Sequence, residues 1–463
     1  MRPDRRTLLT TGAAGLAFSG LARSASAQAV SGESYVNQVA GYGPLIADPN
    51  RCLDLPEGFS YSVVSQGGET MDDGLLVPGQ FDGMGCFPLE GSHVALVRNH
   101  ELQAKSLTHA HWGPGGFNRE RLHLLDVNKA YDVDKQGRPL PGGTTTVVYD
   151  MQSGEVVRQF MSLAGTSTNC AGGQTPWGSW LTCEECEDEP ATENVTREHG
   201  YVFEVPANAT GLVDPVPLKA MGRFDHEAVC IDPATGVIYQ TEDKEDGLFY
   251  RFIPTTPGKL VDGGKLQALV IKGSPGADTS NNQTPYWAVG DWRETEWVDL
   301  DDVESPNADL RMRGRAAGAA IFCGGEGVFW GDNEAYFTAK YGGAIRRGQI
   351  LRYTPAPDGV TGRVQLFLES ADEKVWNMGD NLVVSAAGHL IVCEDNYSAE
   401  IRNHIKGVTP DGQVYTIARN VFRGNAEFAG CCFSPDGSTL FVNIQYPGVT
   451  FAITGPWTAL RTA

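Results

Sequence analysis

The segment HEAVCIDPATGVIYQTED, residues 226–243, decides the fold. In it, two short apolar runs flank the turn sequence PATG, and the second run ends in two acidic residues. Turn residues between two such runs are typical of a β-hairpin. The same phrase recurs five more times, at residues 81–101, 169–185, 325–340, 378–396 and 426–445. Six copies of one hairpin predict six equivalent structural units.

A third apolar strand follows most of the hairpins and ends at a proline, as in LFYRFIP at residues 248–254. Proline cannot donate a hydrogen bond to a sheet, so it marks the end of a strand. A fourth strand can be assigned in several units, for example EVVRQF from Glu155. Four antiparallel strands repeated around an axis are the blades of a propeller. We therefore predict an all-β, six-bladed β-propeller with loop insertions.

The segment GFSYSVVS, residues 58–65, has the pattern of a strand but precedes the first hairpin. The last hairpin, in contrast, is followed only by VTFAITGP, residues 449–456, and a few further residues. We expect the N-terminal strand to complete the sixth blade. A two-sheet sandwich with the same strand count is the alternative architecture, and the regular six-fold repeat argues against it.

Residues 1–27 have the features of an export signal, with a basic start, a weakly apolar stretch and small residues before Ala27. Arg5 and Arg6 followed by TLL fit the twin-arginine pattern. The apolar stretch is too short and too rich in glycine to span a bilayer. We expect the twin-arginine export machinery to deliver residues 28–463, as a single propeller domain, to the periplasm or the exterior.

The chain carries 57 acidic and 36 basic residues, a formal net charge of −21. A surface of this charge argues against nucleic acid and membranes as partners. Among the ten cysteines, Cys183 with Cys186 and Cys431 with Cys432 are close enough in sequence to pair. We favour free thiols, because a twin-arginine substrate folds in a reducing compartment and buried cysteines commonly act as small apolar residues.

Acidic residues flank nearly every hairpin. In a propeller blade the first strand begins, and the second ends, on the same face near the axis, so these side chains should converge. The first strands begin at Asp82, Cys170, Glu227, Glu326, Asp380 and Glu427. The second strands end at Asn99/His100/Glu101, Glu184/Glu185, Glu242/Asp243, Glu394/Asp395/Asn396 and Asn443/Gln445, whereas the fourth unit ends at Thr338 and Lys340.

A ring of carboxylates predicts bound cations. Two unit charges 4 Å apart repel by roughly 4 kcal/mol at an effective dielectric constant of about 20. Carboxylate and amide oxygens suit Ca²⁺, whereas the thiolate of Cys170 among them indicates a transition metal such as iron. His100 and His226 could each serve as a ligand, as a partner of a ligand or as a proton donor.

Three long motifs, TSTNCAGGQTPWGSWLTCEE, GRFDHEAVCIDPATGVIYQTED and EFAGCCFSPDGSTLFVNIQYPGVTFAITGPW, resemble the PhoX-type alkaline phosphatases. The resemblance implies a secreted enzyme that uses Fe³⁺ and Ca²⁺ to hydrolyse a small-molecule phosphate ester. It implies that Cys170, Glu227 and Glu326 bind iron and that the acids of CEE, TED and CED bind calcium. Asn169 resembles an amide that contacts phosphate. The predicted catalytic residues are Asn169, Cys170 and His226, and the predicted metal ligands are Cys170, Glu184, Glu185, Glu227, Glu242, Asp243, Glu326, Glu394, Asp395 and Glu427.

One departure from the family pattern concerns arginine. The family commonly has an Arg two residues before the glutamate of the fourth hairpin, where this chain has Gly324. Near Glu427 the only close arginine is Arg423. Arginines at these places would clamp phosphate oxygens through two parallel hydrogen bonds, so we expect weak turnover. Arg98, Arg251, Arg346 and Arg347 are the candidate substitutes.

Two other functions fit the same scaffold. A calcium-dependent lactonase or a phosphodiesterase would need an oxygen-rich axis but no thiolate. A non-catalytic propeller stabilised by metals, with a partner bound across its face, would account for the missing arginines.

Overall fold

The computed structural model describes residues 34–105, 121–422 and 424–459. The export signal predicted over residues 1–27 lies outside them, as does Arg423. The described residues form 26 β-strands and one α-helix, α1 (Leu310–Ala316). Single turns of 3-10 helix lie at Leu122–Leu124, Val127–Lys129, Lys219–Met221 and Leu260–Asp262. Among these residues there is no helix with the length and apolar character needed to cross a membrane.

The strands follow the predicted hairpins. Three short strands come first: β1 (Leu45–Ile46), β2 (Leu53–Pro56) and β3 (Ser60–Gln66). The first hairpin extends into a four-stranded sheet of β4 (Phe81–Pro88), β5 (His93–His100), β6 (Gly142–Asp150) and β7 (Glu155–Thr166). The second forms a three-stranded sheet of β8 (Asn169–Gln174), β9 (Ser179–Glu184) and β10 (Val202–Pro206).

The third and fourth hairpins share one nine-stranded sheet. Its strands are β11 (His226–Ile231), β12 (Ile238–Glu242), β13 (Phe249–Pro254), β14 (Gly264–Ile271), β15 (Trp292–Asp299), β16 (Gly325–Gly331), β17 (Glu334–Ala339), β18 (Gln349–Pro355) and β19 (Gly362–Glu369). Strand β15 pairs with β14 on one side and with β19 on the other. It thereby joins two runs of four antiparallel strands, and the end strands β11 and β16 contact each other.

The fifth hairpin forms β20 (Gly379–Val384), β21 (Leu390–Glu394), β22 (His404–Val408) and β23 (Val414–Asn420), to which β2 and β1 are added. The sixth forms β24 (Phe428–Phe433), β25 (Thr439–Ile444) and β26 (Val449–Thr454), and β3 pairs with β26. The N-terminal strand therefore completes the last sheet, as its sequence predicted. The all-β class and a propeller-like arrangement are confirmed, whereas the described residues form five sheets because β15 merges two units.

The first strands of the hairpins form the inner wall of the molecule. Each contacts the next, in the cyclic order β4, β8, β11, β16, β20, β24 and back to β4. Glycines permit this close approach: a Cβ at Gly83 would lie 2.6 Å from the Cα of Ala171, and one at Gly327 would lie 2.7 Å from the Cα of Asn381. Apolar clusters fill the space between the sheets, for example around Phe428, Leu440 and Phe451.

The cysteines are free. All ten lie in the described residues, all are buried, and none forms a disulfide. Cys432 packs with Met84 and Phe441 in one of the apolar clusters, as expected for a thiol that acts as a small apolar side chain.

Candidate metal centre

All six hairpins share one irregularity at the start of the first strand. In the third hairpin His226 pairs with Glu242, but the next pair is Val229 with Gln240, so Glu227 and Ala228 together face the single residue Thr241. The same shift occurs in β4, β8, β16, β20 and β24. This arrangement is a β-bulge, which bends a strand and redirects its side chains. Five strand starts therefore share one geometry, whereas in β24 the bulge lies at Gly430 and Cys431, beyond Glu427.

Five bulge residues, together with Glu427 and residues that follow the second strands, form four overlapping clusters. Their potential ligand atoms lie within 4.8 Å of one another in each cluster. The clusters are Asp82 with Glu101 and Cys170; Cys170 with Glu185 and Glu227; Glu227 with Glu326 and Asp380; and Asp380 with Asp395 and Glu427. We call this continuous set the acid ring. It confirms that the flanking residues of different hairpins converge.

Burial makes the acid ring electrostatically unfavourable without cations. Burial, followed by the charge of Glu326, raises the pKa of the Glu227 carboxyl well above its usual range. Burial, followed by the charge of Asp395, raises the pKa of Glu101 to about 7. Burial and the charge of Asp82 likewise raise the pKa of the Cys170 thiol. Positive charge placed among these groups would restore their ionised forms.

The oxygens of Glu227 show where a cation fits. The side chain is fully buried, and neither carboxylate oxygen has a hydrogen-bond partner. One oxygen of the buried Glu326 also has none. Buried carboxylates are normally paired, hydrogen-bonded or bound to metals. The donor set around Glu227, several carboxylates and one thiol, suits metal ions, so the residues present fit the metals that the sequence implied.

Four predicted ligands, Glu184, Glu242, Asp243 and Glu394, are not members of the acid ring. Glu184, Glu242 and Glu394 are the last residues of β9, β12 and β21, and each side chain is engaged elsewhere. Glu184 accepts hydrogen bonds from the backbone N–H of Ser167 and of Gly200. Glu242 accepts from the Leu248 N–H and the Tyr250 hydroxyl, and Glu394 accepts from the Asn377 and His404 N–H groups. These contacts fit a structural role that fixes the loop after each second strand.

Two of the predicted catalytic residues also point away from the ring. The Asn169 amide accepts from the Thr166 hydroxyl (2.5 Å) and donates to the Thr182 hydroxyl (2.9 Å). The His226 ring stacks on Phe224, with ring centroids 3.5 Å apart, and its Nε2 lies 3.0 Å from the Gly222 carbonyl. Burial lowers the pKa of His226 to about 3. Of the three predicted catalytic residues, Cys170 alone belongs to the acid ring.

Four residues of the site were not among the predicted ligands. Asp82, Glu101 and Asp380 belong to the clusters, and the cation Lys340 contacts Glu326, Asp380 and Asp395. All four stood at hairpin ends, so position in the repeat was the signal that could have identified them. Asp243 lies beside the ring, where its charge acts on Glu326 and its carboxyl shares a hydrogen bond with Glu185.

Position 324, where the family commonly carries an arginine, does not accommodate that side chain without strain in this chain. Gly324 has φ +69°, and a Cβ there would lie 2.4 Å from the Tyr341 ring, so an arginine at this position would strain the backbone. Arg98 is buried against Thr450 and Thr145. Arg251 bonds to Gln267 and to the Gly359 carbonyl.

Arg346 and Arg347 are also engaged outside the acid ring. Arg346 pairs with Glu245, and Arg347 pairs with Glu373. None of the four substitute arginines named from the sequence forms an ion pair with a member of the ring.

The chain is similar to known proteins at two levels. The family model described as alkaline phosphatase PhoX matches residues 40–448. No curated protein matches the chain. Among solved structures, a gluconolactonase from Xanthomonas campestris is 12% identical with a TM-score of 0.33, covering 85% of this chain and 100% of that one.

Two further structures are comparably distant. The periplasmic gluconolactonase of Pseudomonas aeruginosa is 13% identical with a TM-score of 0.38, over 84% of this chain and 89% of its own. A β-propeller domain from Myceliophteria thermophila is 10% identical with a TM-score of 0.39, over 85% and 99%. Similarities this low do not bear on function.

Proposed function

The chain belongs to the PhoX family of alkaline phosphatases, and on that premise we propose that it hydrolyses phosphomonoesters at an iron- and calcium-containing centre in the acid ring. The observation that carries this proposal is the buried Cys170 beside Glu227, whose two carboxylate oxygens have no hydrogen-bond partner. The family is metal-dependent and the clusters could bind metals. Iron is the proposed partner of the thiolate, and calcium is the proposed partner of the carboxylates.

The residues of the acid ring would hold the metals, which when bound polarise phosphate oxygens and neutralise developing charge. Cys170, Glu185 and Glu227 would hold the iron side, and Asp82 and Glu101 would extend the oxygen ligands beyond the thiol. Charge from these carboxylates repels an anionic ester. Substrate binding therefore depends on full cation occupancy.

The structure around Cys170 holds that residue in place. Asn99 donates to the carbonyls of Cys170 (2.9 Å) and Ala171 (2.7 Å), and Trp180 donates to the other end of the Asn99 amide (2.9 Å). Ligands fixed by such surrounding hydrogen bonds keep the geometry that a metal requires. These contacts support a preformed site.

Two finer expectations belong to the same proposal. We interpret the nine-stranded sheet as two blades joined at their outer strands by β15, which makes six blades in all; the cyclic contacts of the six inner strands support this interpretation. We also propose twin-arginine export to the periplasm or the exterior, supported by Arg5 and Arg6 in the first 27 residues. Export of a folded protein would allow metal loading before translocation.

The decisive experiment combines metal analysis with turnover. Protein exported through its own signal should contain iron and calcium by plasma mass spectrometry and should hydrolyse p-nitrophenyl phosphate slowly at alkaline pH. Cys170→Ala should lose the transition metal and the activity together, because a charged ligand is removed. Cys432→Ala, the matched control in an apolar cluster, should cost only about 1 kcal/mol of stability.

Three results would contradict the proposal. Active protein that contains calcium without iron would exclude the thiolate centre. Unchanged activity in Cys170→Ala would show that the thiol is merely buried. Turnover of a lactone or of bis(p-nitrophenyl) phosphate, without turnover of the monoester, would assign a different hydrolase function.

A further inference from the structure

Lys340 is a cation that contacts three carboxylates of the acid ring. It follows β17 directly, at the position where other hairpins place Glu101, Glu185, Asp243 and Asp395. The residue is only 4% exposed. A buried lysine is rare unless it is paired, so its surroundings indicate what it does.

The Lys340 ammonium is surrounded by carboxylates. Nζ lies 3.4 Å from Glu326 Oε1 and 3.5 Å from Asp380 Oδ2, and it donates a hydrogen bond to Asp395 Oδ2. An ammonium group has three donors, and three carboxylates surround this one. The ammonium hydrogen-bonds to Asp395 and forms ion pairs with Glu326 and Asp380, so three negative charges hold it among the acids, which argues against a role as the missing clamp.

The aromatic surroundings also favour a fixed cation. Nζ lies 5.3 Å from the centre of the Tyr397 ring and 5.9 Å from that of Tyr341. Aromatic rings at these distances attract a cation. Both rings therefore add to the attraction that the three carboxylates exert on the ammonium.

We propose that the Lys340 ammonium is a built-in cation that takes a position otherwise available to a metal ion among Glu326, Asp380 and Asp395. Exchangeable metals are then confined to the part of the ring around Cys170 and Glu227. The asymmetry of the contacts carries this inference, because Asp395 is paired with Lys340 whereas both oxygens of Glu227 have no partner. The inference rests on the proposed metal centre and states which part of it binds metal.

Metal stoichiometry tests the inference directly. After equilibrium dialysis against calcium and plasma mass spectrometry, Lys340→Met should bind one more divalent ion per chain than the wild type. Lys340→Arg keeps the positive charge and should bind the wild-type number. A folded Lys340→Met protein with an unchanged number, or a wild-type ion found between Glu326, Asp380 and Asp395, would overturn the proposal.

If Lys340→Met does not fold, a second pair of variants tests which part of the acid ring binds metal. Glu227→Gln should lower metal affinity by at least about 10-fold, whereas Asp395→Asn should leave calcium number and affinity unchanged. Equal losses in both variants would show that metals occupy both parts of the ring. These measurements need no turnover, so absent phosphatase activity would reject the proposed function while leaving the inference about Lys340 intact.

Discussion

At the scale of single residues, His199 shows how the loops beneath the acid ring are fixed. Its Nδ1 lies 2.7 Å from Glu184 and its Nε2 lies 3.1 Å from Asp132, with all three side chains buried. Burial would lower the pKa of His199, but the Glu184 charge and the hydrogen bonds to Asp132 and Glu184 outweigh it and raise the pKa to about 9. The protonated imidazole therefore links the loop of Asp132 to β9.

This linkage predicts a pH-dependent contribution to stability. The pKa of His199 is raised on folding from 6.5 to about 9, so its contribution is fully present below about pH 6.5 and is lost as pH rises through about 9. The contribution is roughly 3 kcal/mol at its maximum. His199→Gln should therefore be much less stable than the wild type near neutral pH, and the difference in melting temperature should narrow toward pH 9.5.

His404 supplies the matched control for that experiment. It holds Glu394 as His199 holds Glu184, with Nδ1 2.8 Å from the carboxylate, but burial, together with the charge of Lys406, lowers its pKa to about 4. His404→Gln should thus lower the melting temperature by the same amount at pH 7 and at pH 9.5. A constant difference for His199→Gln as well would show that His199 is neutral in the folded protein.

Residue positions were predicted better than side-chain directions. The hairpin ends identified the neighbourhood of the site, yet both members of Glu184/Glu185 were assigned as ligands. Successive side chains along a strand point to opposite faces, so one member reaches the ring and the other turns into the loop. Glu427 was placed at a strand start but precedes β24, whose register begins at Phe428. Bulges and registers of this kind leave no mark in composition.

At the scale of elements, β15 is the feature that sequence reasoning missed. The sequence predicted loop insertions between the repeated strands, but residues 292–299 form a strand between β14 and β19. Its sequence, WRETEWVD, is largely polar and was typical of a loop; only Thr295 of the eight residues is buried in the structure. The hairpins themselves were predictable because turn residues and apolar runs both repeat.

A proline in β15 should reveal how much the strand protects its neighbours. The N–H of Lys272 donates to the carbonyl of Glu294, so alternate residues from Glu294, including the exposed Glu296, face β14. Glu296→Pro removes the backbone N–H of residue 296. The β14 carbonyl opposite it is then unpaired, which should cost roughly 1–3 kcal/mol of stability. Deuterium uptake measured by mass spectrometry should rise in β14 peptides. Glu296→Ala keeps the N–H and should not change it, and equal uptake in both variants would contradict the pairing.

At the scale of the whole molecule, the proposed metal sites of the acid ring should couple metal binding to stability. Chelation should lower the melting temperature, because ions that bind only the folded protein stabilise it by mass action, by about 2.7 kcal/mol at 100 times the dissociation constant. Calcium added back to the chelated protein should restore the melting temperature in a concentration-dependent way. In Glu227→Gln, added calcium should raise the melting temperature less than it does in the wild type. If added calcium leaves the melting temperature of the wild type unchanged, the ring holds no exchangeable calcium.

The pairing of β3 with β26 also means that β3 is synthesised long before its partner strand. About 380 residues separate the two strands, and ribosomes add about 5–20 residues per second, so β3 emerges roughly 20–80 s before its partner exists. During that interval its hydrogen-bonding edge is open to other chains. We therefore expect the nascent chain to be prone to aggregation until the last sheet closes, and a chaperone that covers residues 60–66 during translation should reduce it.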